Sequence, residues 1–345
     1  MKKQQKIAKK NNYIPISKIV GMRVTTFVIM MSVLFGGSII FYSQIENCIN
    51  GVRPILGETK VHFVDVGHGD AIIVESLGAV VMIDSGARSD KLRNYISHAF
   101  TSGIKIDYFI LTHTDADHIG GAYNILKYNN VKTLYVPQVT NFSFEFEKIL
   151  NLAKSQNIEI RYNFVGERIQ GEDYSFEFLS PKQSSYEIEN NYSPIIKFVS
   201  GEKSVLFTGD AEVEAEEEVL FDDIKADVLK VGHHGSTTSS SLAFLQAVSP
   251  KYAVISCLEG VYDNVPSVKV IGRLQSVGVA EENILRTDKL KSIVLVLDDE
   301  VKIYSSDYAD RVFIKYYFIL FVLAILIYSV TFKAGFVYQD YKFGF

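Results

Sequence analysis

Cysteine is nearly missing from this 345-residue chain, which has only Cys48 and Cys257. The first lies beside an apolar run and the second inside Tyr252-Ala253-Val254-Ile255-Ser256-Cys257, a strand-like segment. Two such thiols exclude a disulfide framework, even outside the cell. No stretch repeats at a fixed period and none is of low complexity, which excludes a repeat array. A surplus of positive charge is missing too. Residues 58–306 carry 23 Lys and Arg against 36 Asp and Glu, a net −13 that the whole chain's −5 conceals. Nucleic-acid binders usually show the opposite balance, so any contact with DNA or RNA needs a local basic strip or bound metal. Much of the negative charge falls at 212–223 (EVEAEEEVLFDD), which reads as a solvated helix face.

Acid is absent from residues 1–23, which hold seven Lys or Arg. The uncharged run at 24–42 that follows has the roughly 20 apolar residues of a bilayer-spanning helix. A second run occupies 316–332, with Arg311 and Lys315 before it and Lys333 after it to snorkel to the interfaces. After the first run, Ser43-Gln44-Ile45-Glu46 is a poor cleavage site, so a signal anchor fits better than a cleaved signal peptide. The chain is therefore expected to divide into a basic cytoplasmic leader (1–23), a transmembrane helix (24–43), a linker (44–57), a soluble domain (58–306), a second transmembrane helix (311–332) and a short tail (333–345). The positive-inside rule puts the soluble domain outside the cytoplasm and the tail back inside. Ser32 and Gly36 form one small-xxx-small pair, too common a pattern to identify a partner helix.

Within the soluble domain, period-two apolar runs predict strands at 60–66, 71–75, 80–84, 106–111, 133–136, 158–162, 174–179, 195–199, 204–207, 227–231, 252–257, 292–297 and 301–304. Helical patterns fall at 90–100, 122–128, 144–156, 242–248 and 267–277, besides the acidic segment. Strands interleaved with helices indicate a layered α/β domain with large sheets.

Chemistry concentrates in Thr112-His113-Thr114-Asp115-Ala116-Asp117-His118-Ile119-Gly120-Gly121, directly after the buried strand at 106–111. Residues 113, 115 and 117 share one side of an extended segment. Imidazoles and carboxylates so placed suit Zn²⁺ or Mn²⁺. The blander reading is a polar turn with a helix N-cap at Asp117. Two further segments repeat the theme. Val205-Leu206-Phe207-Thr208-Gly209-Asp210 is an apolar strand ending in a carboxylate, and Val228-Leu229-Lys230-Val231-Gly232-His233-His234-Gly235-Ser236 is one ending in paired histidines. Each strand delivers His or Asp at its C-terminal end, and such ends gather at one sheet edge.

Together with Phe63-Val64-Asp65-Val66-Gly67-His68-Gly69-Asp70-Ala71 and Met82-Ile83-Asp84-Ser85-Gly86, these segments resemble in their order the metallo-β-lactamase-like hydrolases. The resemblance is to the branch forming the extracytoplasmic C-terminal domain of ComEC-type DNA-internalisation proteins, and it covers about residues 60–304. It implies a four-layer α-β-β-α sandwich with one or two divalent ions along one edge, in a family whose members include phosphodiesterases and nucleases. Carried over, His113 and Asp115 bind one metal, Asp117 and His118 the second, and Asp210 bridges them. His234 is the favoured ligand of its pair and His233 a partner to substrate or leaving group, with the reverse order left open. Asp84 matches the aspartate that holds a ligand histidine in its tautomer. Asp70 serves similarly or closes the glycine turn. Asp117, His233 and Lys230 are the candidate catalytic groups, although Lys230 also reads as a lysine snorkelling off a strand end. Ser236 and Asn191 are the candidate substrate contacts, with Ser236 alternatively capping the next helix.

The chain departs from the pattern at several points. Asp115 stands where the wider superfamily has histidine, His68 stands where the branch commonly has Gln and reads as a surface residue, and Asn264-Val265-Pro266 replaces Gly-His-Pro. No histidine lies between His118 and Asp210; Asn190 or Asn191 is the candidate near that place, within Asn190-Asn191-Tyr192-Ser193, which resembles the branch's Asn-Ser element. An oxygen-rich set favours Mn²⁺, with Zn²⁺ the other candidate. The expected function is a membrane-anchored, extracytoplasmic, metal-dependent phosphodiesterase or nuclease using a metal-activated water. Its rivals are a phosphodiesterase of envelope polymers or lipid headgroups and a binding or scaffold module. The expected partners are a phosphodiester substrate, DNA among the candidates, and the membrane. With two spans the chain cannot form a DNA channel alone, so a role in DNA uptake calls for a separate channel protein.

Overall fold

Alternation of apolar side chains sorts the strands into two sheets that share one core. The structure, a computed structural model, describes residues 58–305 apart from 77, 101–103, 140–142 and 261–264. The first sheet contains β1 (Thr59–Phe63), β2 (Ile72–Ser76), β3 (Ala79–Ile83), β4 (Lys105–Ile110), β5 (Asn130–Val136) and β6 (Glu159–Tyr162). The second contains β7 (Arg168–Gln170), β8 (Tyr174–Phe178), β9 (Ile196–Ser200), β10 (Lys203–Phe207), β11 (Val228–Lys230), β12 (Tyr252–Ile255) and β13 (Ile284–Arg286). The chain then returns to the first sheet with β14 (Ile293–Leu297) and β15 (Val301–Ser305). The strand orders are β15-β14-β1-β2-β3-β4-β5-β6 and β13-β12-β11-β10-β9-β8-β7.

Successive residues on a strand face opposite ways, and that period divides the apolar residues into three layers. Val81 and Ile83 of β3, Val205 and Phe207 of β10 and Leu295 of β14 fill the space between the sheets. There Phe63 meets Phe207 across the gap, ring centroids 6.4 Å apart, and Phe176 packs on Phe198, its register partner on the next strand, at 4.4 Å. Met82 and Phe109 face outward, under α1 (Lys91–Ala99), the single turn α2 (Ala116–Ile119), α3 (Ala122–Tyr128) and α4 (Phe144–Ser155). On the far side Leu206, Leu229 and Ala253 lie under α5 (Val213–Glu218), α6 (Leu242–Val248) and α7 (Val268–Ser276). The last helical turn is α8 (Thr287–Leu290). Helix, sheet, sheet, helix is the layering expected from the sequence.

Topology then positions the site. β3 through β6 run parallel, as do β10 through β13. The loops after β3 and β4 therefore leave the first sheet at one end, and those after β10, β11 and β12 leave the second sheet together.

Two expectations need correction. The acidic segment is not simply a solvated face: α5 is only six residues long, and Glu216 within it is buried. Its carboxylate accepts the backbone N–H groups of Ser240 and Ser241 at the start of α6, the latter at 2.8 Å. A charge run signals exposure only where the fold supplies no donors. Strands β7 and β13 were not expected: each has only three residues, and neither belongs to a longer apolar run like the one that marks the equally short β11. Among the described residues no helix is long and apolar enough to cross a membrane. The expected spans at 24–43 and 311–332, with the leader, linker, tail, Cys48 and Asn264, lie outside the described residues.

Phe198 is fully buried between the sheets. Phe198→Ala is expected to cost about 3–5 kcal/mol through lost transfer energy and a residual cavity. The denaturant midpoint should fall with an unchanged slope; a midpoint equal to the parent's would contradict the assignment of this layer as the core.

Candidate metal centre

At the end of β3 the backbone turns through the left-handed region at Asp84, with φ 55°. That conformation costs about 1–3 kcal/mol for a residue other than glycine, and here it aims a fully buried carboxylate under the loop that follows β4. Asp84 accepts the Thr112 N–H at 2.8 Å, the Thr112 hydroxyl at 2.6 Å and His118 Nδ1–H at 2.8 Å. Having donated its own proton to Asp84, the Thr112 hydroxyl oxygen accepts from His113 Nδ1 at 3.1 Å. The Ser193 hydroxyl lies 3.2 Å from the same nitrogen. On the second sheet His234 Nδ1–H donates to the Ser256 carbonyl at 2.8 Å. Carboxylates and carbonyls only accept, so Nδ1 carries the proton in His118 and His234 and Nε2 of each neutral imidazole presents a lone pair; for His113 the Thr112 hydroxyl, its own proton given to Asp84, favours the same tautomer.

These lone pairs converge. His118 Nε2 and His234 Nε2 stand 3.3 Å apart, and each is 3.3 Å from Asp210 Oδ2. Asp117 Oδ2 is 3.2 Å from His234 Nε2 and 3.9 Å from His118 Nε2. Four ligands at 2.0–2.1 Å from one tetrahedral centre are separated from one another by about 3.3 Å, so this arrangement fits a divalent cation. Buried atoms without partners support the fit. Among the described residues, His113 Nε2 and Asp210 Oδ1 find no hydrogen-bond partner. One ligand atom each from His113, His118 and Asp210 lie within 4.8 Å of one another, a second grouping around the same carboxylate.

The charges point the same way. Burial opposes protonation of His118, yet the carboxylates of Asp210 and Asp84 outweigh it and hold its pKa well above the ordinary imidazole value. His234, against the same burial cost, is raised to about 9 by Asp210, Asp117 and Asp70. Burial likewise works against the Asp210 anion, but His118 and His234 keep its carboxyl well below the usual carboxylate range. Asp117 behaves alike, with burial overcome chiefly by His234 and His118. Without metal, protons on the histidines supply the positive charge that this site requires.

The remaining candidates fall in several places. Asp115 sits half-exposed at the rim, its Oδ2 3.7 Å from His113 Nε2, and the His113 imidazole holds its carboxyl below the ordinary value. It is also the N-cap residue of α2, which displaces the N-cap reading of Asp117. His233 adopts a left-handed φ of 46° and stays at the rim, Nε2 3.8 Å from Asp210 Oδ2 and Nδ1 3.0 Å from the Thr238 hydroxyl. His234 is thus the convergent member of the pair. Lys230 is fully buried, its Nζ 2.7 Å from Asp70 Oδ2 and donating to the Val231 carbonyl at 2.9 Å. It neither snorkels nor reaches the rim; it braces Asp70, whose Oδ1 is 3.7 Å from His234 Nδ1. The Ser236 hydroxyl pairs with that of Thr238 at 3.1 Å, and the cap of α6 is Ser241.

Asn191 is buried with both amide ends engaged, by Glu214 at 2.9 Å and by the Glu212 N–H at 2.9 Å. Asn190 donates to Glu212 at 3.0 Å. The side chain beside His113 is instead Ser193, which also accepts the Asp210 N–H at 3.2 Å. Glu189, which accepts from the Thr114 hydroxyl, borders the same side, its carboxyl raised by burial and then by Asp115. Ser193 belongs to Asn190-Asn191-Tyr192-Ser193, the segment that resembles the branch's Asn-Ser element, whereas no sequence signal distinguishes Glu189 and Ser256 from loop residues. His68 is not on the surface: its side chain is 14% exposed. Its ring packs on His234 with centroids 4.3 Å apart. Burial, then the neighbouring His234, lower its pKa to about 4.

Metal binding must expel the protons from His118 and His234. With His234 raised to about 9, binding at pH 7 is expected to release about two protons, and apparent affinity should climb with pH to at least about 9. Titration calorimetry in buffers of different ionisation enthalpy measures this directly; heats independent of buffer would contradict the charge balance described.

Every segment of this centre lies inside residues 64–257, which match the family described as the metallo-beta-lactamase superfamily. Over 259 residues the chain is 35% identical to ComE operon protein 3 of Bacillus subtilis (strain 168), covering 69% of this chain and 33% of that protein. It is 32% identical to Recombination protein 2 of Haemophilus influenzae over 65% of this chain and 27% of that protein. The chain thus spans about a third of the length of these relatives. Among solved structures it is similar to the metallo-β-lactamase fold protein YhfI from Bacillus subtilis, at 13% identity and a TM-score of 0.46, over 66% of this chain and 95% of that one. With its histidines and carboxylates inside a match that takes in more than half of its length, the chain belongs to the metallo-β-lactamase superfamily of metal-dependent hydrolases.

Proposed function

We propose that this chain is a membrane-anchored, metal-dependent phosphodiesterase or nuclease whose hydrolase domain (58–306) works outside the cytoplasm. The observation that carries the reading is the convergence of His118 Nε2 and His234 Nε2 on Asp117 and Asp210 beside a rim bearing His233 and Asp115. His113, His118, His234, Asp117 and Asp210 would hold one or two divalent ions, Mn²⁺ or Zn²⁺, with Asp115 at the edge. Ions bound there supply charge neutralisation for a phosphoryl group and a water ionised near neutral pH. The protein's own part is orientation. Asp84, Thr112 and Ser256 keep the ligand rings in one tautomer, and Lys230 with Asp70 holds His234 from behind. His233, partly exposed, with Nδ1 on Thr238 and Nε2 toward Asp210, is placed to hand a proton to a departing oxygen.

The basic leader and the two apolar runs support anchoring, with the domain outside. Relatives named for recombination and competence, Recombination protein 2 and the Competence protein ComA of Neisseria gonorrhoeae, favour DNA over envelope polymers as the phosphodiester. At −13 the domain repels polyanions, so DNA would have to be drawn to the metals or threaded from a separate channel protein.

The test uses the purified full chain with single-stranded DNA, double-stranded DNA and a chromogenic phosphodiester, each with Mn²⁺, Zn²⁺ or chelator. Hydrolysis should need metal. Asp210→Ala should lose metal altogether and cut the rate at least about 100-fold, the upper end of what loss of an outer partner costs. Asp115→Ala should weaken only one ion. Stoichiometric metal without cleavage of any substrate would replace this reading with a binding module.

A further inference from the structure

We infer that His68, on the turn between β1 and β2, is a metal ligand that forms a third arm of the centre with Asp117 and His234. The inference rests on the metal-dependent reading of the site above and identifies a ligand outside the carried-over set.

Three observations carry it. Ligand atoms of His68, Asp117 and His234 lie within 4.8 Å of one another, a grouping as tight as that of His113, His118 and Asp210. His68 Nε2 is 3.5 Å from Asp117 Oδ2, the same oxygen that stands 3.2 Å from His234 Nε2. The imidazoles of His68 and His234 also lie against each other at an interplanar angle of 56°, with centroids 4.3 Å apart.

The turn is built to bring His68 inward. Gly67 and Gly69 flank it with φ of 93° and 118°, a region that side chains other than glycine's rarely enter. A β-carbon on Gly69 would lie 2.1 Å from the Asp117 carbonyl oxygen. The turn is thus pressed onto the backbone of the residue whose carboxylate His68 approaches. A surface histidine needs no such approach.

The consequence is chemical. With His68 counted, the centre holds two groups of two imidazoles and one carboxylate each, His113, His118 and Asp210 beside His68, His234 and Asp117. Borderline metals prefer imidazole to the all-oxygen sets of Mg²⁺ or Mn²⁺, so His68 shifts the preference from Mn²⁺ toward Zn²⁺. It also supplies an imidazole to a chain that has none between His118 and Asp210.

The rival explanation is that His68 only hydrogen-bonds Asp117, and two substitutions separate the two roles. His68→Gln keeps a donor for Asp117 but is a weak ligand, whereas His68→Glu offers a carboxylate ligand of similar reach and no donor. Co²⁺ is the probe, with the purified full chain, a chelator competition for affinity and the visible and near-ultraviolet spectrum for coordination. The expected result is that His68→Gln weakens one Co²⁺ by at least about tenfold and alters the visible bands. His68→Glu should hold Co²⁺ more tightly than His68→Gln, with visible bands shifted from the parent's. Parent-like affinity and spectrum in His68→Gln, or a folded His68→Glu that binds Co²⁺ no more tightly than His68→Gln, would overturn the assignment while leaving the metal-dependent reading intact. A parent that binds no Co²⁺, Zn²⁺ or Mn²⁺ would overturn both. Circular dichroism on each variant separates loss of ligation from loss of fold.

Discussion

One buried carboxylate organises the centre. Asp84 takes three donors, two from Thr112 and one from His118, and through the Thr112 hydroxyl it also sets the tautomer of His113. Removing it would not merely loosen one ring: it would leave both His118 and His113 without the partner that orients them. The left-handed backbone at Asp84 is the local cost of that arrangement. The parallel strands β3 and β4 make the contact a near neighbour, because both end at the same edge of their sheet.

From that constraint the rest of the site follows. The second sheet meets the first at this edge and contributes Asp210 and His234, the latter fixed from behind by a carbonyl. Two imidazole lone pairs 3.3 Å apart beside two carboxylates are tolerable only with a cation between them. Protons fill that need in the metal-free protein, which is why the histidines are held so basic. A divalent ion meets the same need with better geometry. The glycine turn that presses His68 onto Asp117 belongs to the same design, in which backbone close approach is used where side chains have to converge.

Much of this was legible in the sequence, for identifiable reasons. Helices α3 and α6 fall where periodicity put them, at 122–128 and 242–248, since their apolar faces repeat cleanly. The grouping of His113, Asp117 and His118 was legible because strand and turn periodicity fix neighbours only a few residues apart. Joining them to Asp210 and His234 needed the resemblance, since no local pattern says which sheet edges meet. Ser193 was visible only through the resemblance of its segment to the branch's Asn-Ser element, and Ser256 stayed hidden because a backbone carbonyl acquires its role from what folds against it. His68 was misread as a surface residue, although Gly67 and Gly69 on either side were the available sign of a forced approach. Glu216 was misread for the opposite reason, because composition cannot reveal donors supplied from elsewhere in the chain.

The central claim is that the space among His118, His234, Asp117 and Asp210 is shaped for a divalent cation. Anomalous diffraction at the zinc edge, from crystals of the Zn²⁺-loaded protein, tests it most directly. The expected result is a peak bonded to His118 Nε2, His234 Nε2, Asp117 and Asp210, at about 2.0–2.2 Å from each ligand atom. Zinc found elsewhere, with the two imidazole nitrogens still facing each other across an ion-free gap, would contradict it.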